Sequence, residues 1–247
     1  MTNPLDSTQY TLTSILKYER VYGHNFISPG GLDSTREIIP RLGLRPDMRV
    51  LDVGSGMGGA AFYMAETCGV RVHGVDFSQN MVTLAQERLG NLPPALQPLV
   101  TFAHGDILEA SFVAEFDVIY SRDAFLHIHD KTRLFQVLHR ALKPGGLLFF
   151  TDYCRGAGEL SAEFLAYVAE REYDLHTPDA YGALLTQAGF TAVLGWDKTA
   201  EFGAYLRAEL AHMPADAALA GVRQSWEEKL VRNQRGEQGW GWFSGRT

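Results

Sequence analysis

The sequence is poor in cysteine, with only Cys68 and Cys154 among its 247 residues. Two separated cysteines do not amount to the disulfide framework of a small secreted protein, so we expect reduced thiols in a cytoplasmic protein. No stretch approaches the ~18 consecutive apolar residues that a membrane helix requires, which predicts no membrane insertion. The first nine residues lack a charged segment followed by an apolar one, so we predict no secretory signal.

Basic residues are scarce relative to acidic ones. The chain has 22 Lys and Arg against 29 Asp and Glu, a formal net charge of −7, and no long basic run. Neutralising the phosphates of nucleic acid or of an anionic membrane requires clustered cations, so we expect no partner of either kind. A small pocket that holds one phosphate remains compatible with this composition.

From Arg49 onwards, short apolar segments alternate with helical patterns. The predicted strands cover seven segments, at 49–53, 70–75, 100–104, 116–120, 147–151, 192–196 and 240–243. Such alternation indicates a mostly parallel sheet with helices on both faces, and the last two strands are expected to form an antiparallel hairpin at one edge. We predict a single domain over 1–247, with a helical lid over 1–46 and a core over 47–247. An insertion at about 155–180 is expected to serve the acceptor site.

A glycine-rich motif, Gly54 to Gly59, directly follows the first predicted strand and matches G-x-G-x-x-G. Glycines at such a turn let a ligand lie against the backbone, but enzymes that bind NAD(P) share this motif. Three acids sharpen the interpretation. Asp52 lies in the strand before the glycines, Asp76 ends the next strand and can accept ribose hydroxyls, and Asp106 follows the third strand, where an acid can meet an adenine amino group.

These features together resemble the class I methyltransferases that use S-adenosylmethionine (SAM), whose fold is Rossmann-like. A carboxylate such as Asp52 would favour the ammonium and sulfonium of SAM. Two alternatives remain beside this interpretation. The site could belong to an NAD(P) enzyme, although no Tyr-x-x-x-Lys pattern for hydride transfer is evident, and Asp52 and Asp106 could be simple turn or cap residues.

The segment from Ser121 to Asp130 concentrates an Arg, an Asp and a His after the fourth predicted strand, where open sheets bind ligands. At this point the sequence resembles the phosphoethanolamine N-methyltransferase family over nearly its whole length. The residues that carry the resemblance are Ser7 to Tyr10, Lys17 to Glu19, Tyr22 to Ser28, Gly30-Gly31, Thr151 to Cys154, Tyr167, Arg171, Tyr173, Trp226 to Lys229 and Trp240 to Phe243.

The resemblance implies a role for each matching position. As catalytic residues it implies Tyr10, His127 and Asp123, of which Tyr10 and His127 would form a polar pair that closes the lid and Asp123 would face the substrate nitrogen. As cofactor-binding residues it implies Gln9, Tyr18, Ile27, Ser28, Asp52, Gly54, Gly56, Asp76, Phe77, Asp106, Ile107 and Arg122. As residues that hold the substrate phosphate it implies Tyr153, Tyr167, Arg171, Tyr173 and Lys229. We expect Trp226, Trp240 and Trp242 to be packing residues.

The implied reaction is successive N-methylation of phosphoethanolamine toward phosphocholine, with SAM as methyl donor. Arginine, lysine and tyrosine hydroxyls suit a phosphate dianion, and His127 could accept the proton that the amine must lose. A metal site at His127, His129 and Asp130 is not expected, because adjacent loop residues rarely complete a coordination shell. A methyltransferase for another small acceptor and a non-catalytic SAM-binding module remain alternatives.

Overall fold

Seven strands form one sheet in residues 4–247, the part of the chain that the computed structural model describes. Residues 1–3 of the predicted lid lie outside these described residues. The strands are β1 (Arg49–Val53), β2 (Arg71–Asp76), β3 (Val100–His104), β4 (Phe116–Arg122), β5 (Leu142–Arg155), β6 (Thr191–Asp197) and β7 (Gln238–Arg246). The helices are α1 (Pro4–Ser7), α2 (Leu12–Tyr22), α3 (Gly31–Ile38), α4 (Gly59–Cys68), α5 (Gln79–Gly90), α6 (Lys131–Ala141), α7 (Ala162–Glu170), α8 (Pro178–Gln187), α9 (Thr199–His212) and α10 (Ala220–Gln234).

The strand order is β3-β2-β1-β4-β5-β7-β6. The first five strands of this order run parallel, whereas β7 lies antiparallel between β5 and β6. The fold class predicted from the sequence, a Rossmann-like α/β fold with an antiparallel edge, is confirmed. The order reverses between β1 and β4, and a crevice opens at such a switch point beyond the carboxyl ends of the strands.

Each face of the sheet packs against its own set of helices. Side chains alternate along β5, so Phe149 joins the core beneath α3, α4 and α9, while Leu148 and Phe150 join the core beneath α6 and α8. Both cores are dominated by large buried aromatic and branched side chains. A sheet that is covered on both faces holds its strand ends rigidly, which gives the crevice a fixed floor.

Some predicted boundaries differ from the structure. Strand β5 begins at Leu142 rather than 147, because the Lys143–Gly146 segment continues in the sheet through an irregularity opposite β4. Within the insertion predicted at about 155–180, helix α7 begins at Ala162, and its start is capped by the Ser161 hydroxyl, which accepts from the Phe164 amide at 3.1 Å. Between β6 and β7 the chain forms two helices, α9 and α10, rather than one. Pro214 follows Met213, and a residue before proline is disfavoured in a helix.

The N-terminal helices α1 and α2 are fixed over the carboxyl edge of the sheet by polar contacts with α5. The Asn80 side-chain amide donates to the Tyr10 carbonyl at 2.9 Å, and the Gln79 backbone amide donates to Asp6 at 3.1 Å. Arg88 forms a two-pronged ion pair with Glu19, at 2.7 and 2.9 Å. These contacts place the segment before β1 as a cover on the crevice. No helix between residues 4 and 247 has both the length and the apolar composition needed to traverse a bilayer.

Candidate active site

A cavity of about 560 Å³ lies beyond the carboxyl ends of β1, β2 and β4, beneath α1 and α2. Every residue implied for the site by the family resemblance lines this cavity except Asp52. The lining residues from that set are Gln9, Tyr10, Tyr18, Ile27, Ser28, Gly54, Gly56, Asp76, Phe77, Asp106, Ile107, Arg122, Asp123, His127, Tyr153, Tyr167, Arg171, Tyr173 and Lys229. The chain therefore brings together side chains that are up to 220 positions apart in the sequence, from Gln9 to Lys229.

The glycine-rich turn forms the floor of one half of the cavity. Gly54 and Gly56 have positive φ angles of 71° and 53°, and a Cβ on Gly54 would lie 2.2 Å from the Ala124 Cβ. Only glycine fits there. Asp76 is fixed beside the turn, because its two oxygens accept the backbone amides of Gly56 and Ser78, each at 2.8 Å. Burial raises the pKa of Asp76 to about 6, against the lowering effect of these two bonds. Its remaining lone pairs are available to hydroxyl donors.

The far wall of this half is largely apolar and ends at a second acid. Ile107 is buried, and Phe77 lies at the rim with 47% of its surface exposed. Asp106 is exposed and caps the short turn that follows β3, accepting the Leu108 amide at 2.9 Å. An apolar slot between two carboxylates suits a planar ring that carries hydroxyl or amino donors. We call this part of the cavity, from Gly54 to Asp106, the cofactor half.

Asp52 lies in β1 behind the glycine turn and does not line the cavity. Its side chain is buried, and its Oδ2 has no hydrogen-bond partner among the described residues. Burial and the neighbouring Asp76 raise the pKa of Asp52 to about 7. Asp52 thus lies beside Asp76 but outside the cavity lining, and its contact with a cofactor stays a prediction.

Arg122 lines the cavity, but its guanidinium is engaged with the turn between α2 and α3. It donates to the Gly31 carbonyl at 3.0 Å and to the Thr35 hydroxyl at 2.7 Å, and it also contacts Ser34 and the Pro29 carbonyl. These bonds hold the segment that carries Ile27 and Ser28 against the cofactor half. The position of Arg122 is thus explained by holding the cover in place.

A hydrogen-bonded chain closes the cavity over its other half. The Tyr10 hydroxyl and His127 Nε2 lie 2.8 Å apart, and the Gln9 side-chain amide donates to the Tyr173 hydroxyl at 3.0 Å. Burial, with smaller contributions from Lys131 and Arg171, lowers the pKa of His127 to about 4. Burial also raises the pKa of Tyr10, so both groups are neutral at pH 7. The pair predicted from the sequence is thus in hydrogen-bond contact.

Asp123 stands at the end of β4 in a left-handed conformation, with a φ angle of 51°. Its Oδ1 accepts from the Trp240 indole at 2.7 Å and from the Thr151 hydroxyl at 2.9 Å. Its Oδ2 is buried and has no partner among the described residues. A carboxylate that is held by two donors on one oxygen and unpaired on the other is suited to a neighbouring cationic group.

Two cations and several tyrosines form the wall opposite the glycine turn. Lys229 is buried, and its Nζ lies 3.4 Å from the Tyr153 hydroxyl and 4.3 Å from the centre of the Trp226 ring. Burial lowers the pKa of Lys229 to about 8, and the nearby Glu209 opposes this shift. Arg171 is half-buried, with its guanidinium 5.8 Å from the centre of the Tyr167 ring. We call the part of the cavity that this wall encloses the acceptor half.

An ion pair between the buried Lys131 and the half-buried Asp174 supports the segment that carries His127. The Lys131 ammonium donates to the Ile128 carbonyl at 2.6 Å and to Asp174 Oδ2 at 2.9 Å, and the Asp174 amide donates to the Leu126 carbonyl at 2.8 Å. These bonds join the turn after β4 to the segment after α7. Tyr173 lies in the segment after α7, and His127 lies in the turn after β4. The ion pair therefore fixes the position of Tyr173 relative to His127.

The cavity lining also includes Trp226, which the sequence predicts to be a packing residue and which is buried in the core. It was not among the site residues inferred from the sequence. Trp226 lines the cavity and contacts the rings of Tyr18 and Tyr22, at centroid distances of 5.8 and 5.2 Å. The signal was present, because residues three apart on a helix share a face, and Trp226 precedes Lys229 by three positions. His129 is exposed at the rim of the cavity. No group of three His, Cys, Asp or Glu side chains within residues 4–247 is arranged to hold a metal ion.

Comparison with known proteins identifies the family. A methyltransferase domain family model matches residues 50–146. Phosphoethanolamine N-methyltransferase 1 from Zea mays is 42% identical over 97% of this chain and 49% of its own length. The chain thus spans about half the length of the plant relatives it matches. Phosphoethanolamine N-methyltransferase from Plasmodium falciparum is 34% identical over 97% of this chain and 93% of its own length.

A solved structure agrees with these sequence matches. Phosphoethanolamine N-methyltransferase 2 from Haemonchus contortus, in complex with phosphomonomethylethanolamine and S-adenosylhomocysteine, superposes with a TM-score of 0.94 at 36% identity. The match covers 98% of this chain and 59% of that one. The resemblance seen in the sequence is confirmed: this chain belongs to the phosphoethanolamine N-methyltransferase family.

Proposed function

We propose that this chain is a SAM-dependent N-methyltransferase that converts phosphoethanolamine by successive methylation toward phosphocholine. One observation carries the proposal. A single cavity joins the glycine turn and Asp76 on one side to Lys229, Arg171 and their tyrosines on the other. The names of the relatives support this function, and the two-sided cavity supplies a separate place for donor and acceptor.

The cofactor half fits SAM. Gly54 and Gly56 let the methionine part of SAM lie against the backbone, and Asp76 retains lone pairs for the ribose hydroxyls. Asp106 would accept from the adenine amino group, with Ile107 and Phe77 beside the ring. When bound, SAM supplies a methyl group that is activated by its positive sulfur. Gln9, Tyr18, Ile27 and Ser28 would cover it and exclude water.

The acceptor half fits a short dianion that carries an amine. Lys229 and Arg171 would bind the phosphate together with the hydroxyls of Tyr153 and Tyr173, and Tyr167 would border the phosphate. Bonds between a cation and a phosphate oxygen are about twice as strong as neutral ones, so these groups would anchor the substrate by its phosphate end.

The nitrogen end would then lie near Asp123 and His127. In each cycle the amine loses one proton, the bond between sulfur and the methyl carbon breaks, and a bond between nitrogen and that carbon forms. Because His127 is neutral, it can take part in passing the proton toward solvent with Tyr10. The open oxygen of Asp123 would stabilise the positive charge that remains on nitrogen after each methylation.

Product analysis tests this function directly. The chain is incubated with SAM and phosphoethanolamine, and mass spectrometry scores the mono-, di- and trimethylated products. Ethanolamine and glycine serve as acceptors without a phosphate. We expect S-adenosylhomocysteine release with phosphoethanolamine and its methylated forms. Equal turnover of ethanolamine and its phosphate ester would refute the assignment of the acceptor half.

We also propose a cytoplasmic location for this activity. Support comes from the two cysteines, because Cys68 is half-buried, Cys154 is buried, and both are unpaired. Free thiols are typical of reducing compartments. Fractionation of the native host cells, followed by immunoblotting for the chain, would test this location.

A further inference from the structure

Glu209 on α9 contacts Trp226, which lines the cavity, and Gly30, in the segment that covers the cofactor half, although Glu209 itself does not line the cavity. Its Oε1 accepts the backbone amide of Gly30 at 2.9 Å, and its Oε2 accepts the Trp226 indole N–H at 2.8 Å. The two donors are almost 200 positions apart in the chain. Both oxygens of this half-buried carboxylate are therefore used to join two distant segments.

The Gly30 contact reaches the segment that covers the cofactor half. Gly30 follows Ile27 and Ser28, and Ile27 lies over the glycine turn, with its Cγ1 at 3.8 Å from where a Cβ on Gly56 would be. The α9 helix presses closely on this point, because a Cβ on Gly30 would lie 2.7 Å from the Tyr205 ring. Any shift of α9 is therefore transmitted to the segment that covers the cofactor half.

The Trp226 contact belongs to the acceptor half. The Trp226 ring lies against the Lys229 ammonium at 4.3 Å and against the lid tyrosines Tyr18 and Tyr22. The indole has one N–H, and Glu209 accepts it. The carboxylate thus fixes the plane of the ring that positions Lys229.

We propose that Glu209 is a positioning residue that couples the two halves of the cavity, so that filling one half favours the filling of the other. The proposal rests on the proposed function, because it takes phosphoethanolamine as the acceptor. A ligand that orders the Gly30 turn would also order α9 and Trp226, and the second ligand would then find its wall already in place. Coupling of this kind is reciprocal between the two ligands.

Calorimetry measures the coupling as the ratio of two dissociation constants for S-adenosylhomocysteine, one without and one with saturating phosphoethanolamine. For the unmodified chain we expect phosphoethanolamine to tighten binding of S-adenosylhomocysteine by about fivefold or more. In Glu209→Gln the amide can accept only one of the two N–H donors, so we expect the ratio to fall to within about twofold of one. Glu201→Gln is the matched control, since Glu201 lies on the same helix, is exposed and pairs with Lys198. It should keep the original ratio.

Glu209 also contributes negative charge beside Lys229, which adds a second readout. The charged and titratable groups that act on Lys229 are Glu209 from α9, Asp123 after β4, Tyr153 on β5, Arg171 after α7 and Arg232 on α10. Loss of the carboxylate removes the largest charge that favours the ammonium. The basic limb of the kcat/KM profile should therefore move to lower pH in Glu209→Gln and stay in place in Glu201→Gln.

Several results would overturn the proposal. One is a folded Glu209→Gln variant whose coupling ratio equals that of the original chain. Another is the absence of coupling in the original chain. A lower KM for phosphoethanolamine in Glu209→Gln would mean that the carboxylate acts only by repelling the phosphate. Should Glu209→Gln fail to fold, Trp226→Phe removes the indole N–H, keeps a ring beside Lys229 and should lose the coupling as well. An original chain that does not methylate phosphoethanolamine refutes the proposed function, whereas normal turnover with unchanged coupling in both variants refutes only this inference.

Discussion

Replacing Lys229 by methionine removes the buried cation of the acceptor half and leaves its volume nearly unchanged. The ammonium is placed by Tyr153 at 3.4 Å and by the Trp226 ring at 4.3 Å, so a phosphate oxygen would meet a cation that is already positioned. A hydrogen bond to a charged group contributes about 1.5–3 kcal/mol, and each 1.4 kcal/mol is a factor of ten. We therefore expect kcat/KM for phosphoethanolamine to fall about 10- to 140-fold in Lys229→Met.

Steady-state kinetics with varied phosphoethanolamine at saturating SAM provides the measurement. Lys198→Met is the matched control, because the Lys198 ammonium also lies over a tryptophan ring, 4.6 Å from the centre of Trp242, but outside the cavity. It should change kcat/KM by less than about twofold, as for most surface substitutions. Binding of S-adenosylhomocysteine alone, measured by calorimetry, should be retained in Lys229→Met. A value of kcat/KM within threefold of the original would refute the phosphate role of Lys229.

The lowered pKa of Lys229 also predicts how kcat/KM depends on pH. Because burial lowers it to about 8, the free protein loses this positive charge as the pH rises through 8. The substrate phosphate stays a dianion over that range, so kcat/KM should decline on the basic side. Arginine stays protonated at this pH, and Lys229→Arg should therefore flatten the basic limb even if its maximum is lower. A basic limb that is identical in both proteins would assign it to another group.

The remaining predictions concern the hydrogen bond between Tyr10 and His127, the carboxylate of Asp123, and the segment before β1 that covers the cavity. Tyr10→Phe removes the 2.8 Å hydrogen bond to His127. Because one neutral hydrogen bond is lost, kcat should fall about 2- to 10-fold in steady-state assays. An unchanged kcat would exclude Tyr10 from the proton path. Asp123→Asn keeps a residue that tolerates the left-handed backbone but loses the charge, so kcat/KM should fall about 10-fold or more. A fall in kcat/KM that is smaller in Asp123→Asn than in Tyr10→Phe would contradict the role of Asp123. Gly31→Ala would place a Cβ 1.9 Å from the Tyr22 carbonyl oxygen, and chemical denaturation should show a loss of about 1–3 kcal/mol; unaltered stability would mean that the cover readily moves.

Local patterns were sufficient for much of the core of the fold. The run from Arg49 to Val53 followed by glycines predicts a strand and a glycine turn, and both are present. Strand β3 was predicted with its observed boundaries. The start of β5 was missed because Lys143 to Gly146 looks like a turn in isolation, whereas the structure places it as an irregularity between the Leu142–Phe116 and Leu147–Val118 pairs.

The candidate site could be predicted wherever a residue belongs to a family motif. His127 and Lys229 are examples, and both line the cavity. Asp52 lies in β1 and is absent from the cavity lining, so its predicted contact with a cofactor stays a prediction. Glu209 had no sequence signal, because a glutamate in a helix ordinarily faces solvent and its partners Gly30 and Trp226 are remote in the chain.

By itself the sequence determined the order of strands and helices, the glycine turn and the kinds of side chain available for a methyl donor and a phosphate. These properties depend on neighbours within a few positions, where backbone sterics and apolar periodicity act. Only the tertiary structure decided that Tyr10 meets His127, that Lys229 is buried against Tyr153, and that Arg122 holds the cover. Such contacts join residues that are far apart in the sequence. They are determined by the packing of the whole sheet and its helices rather than by any local preference.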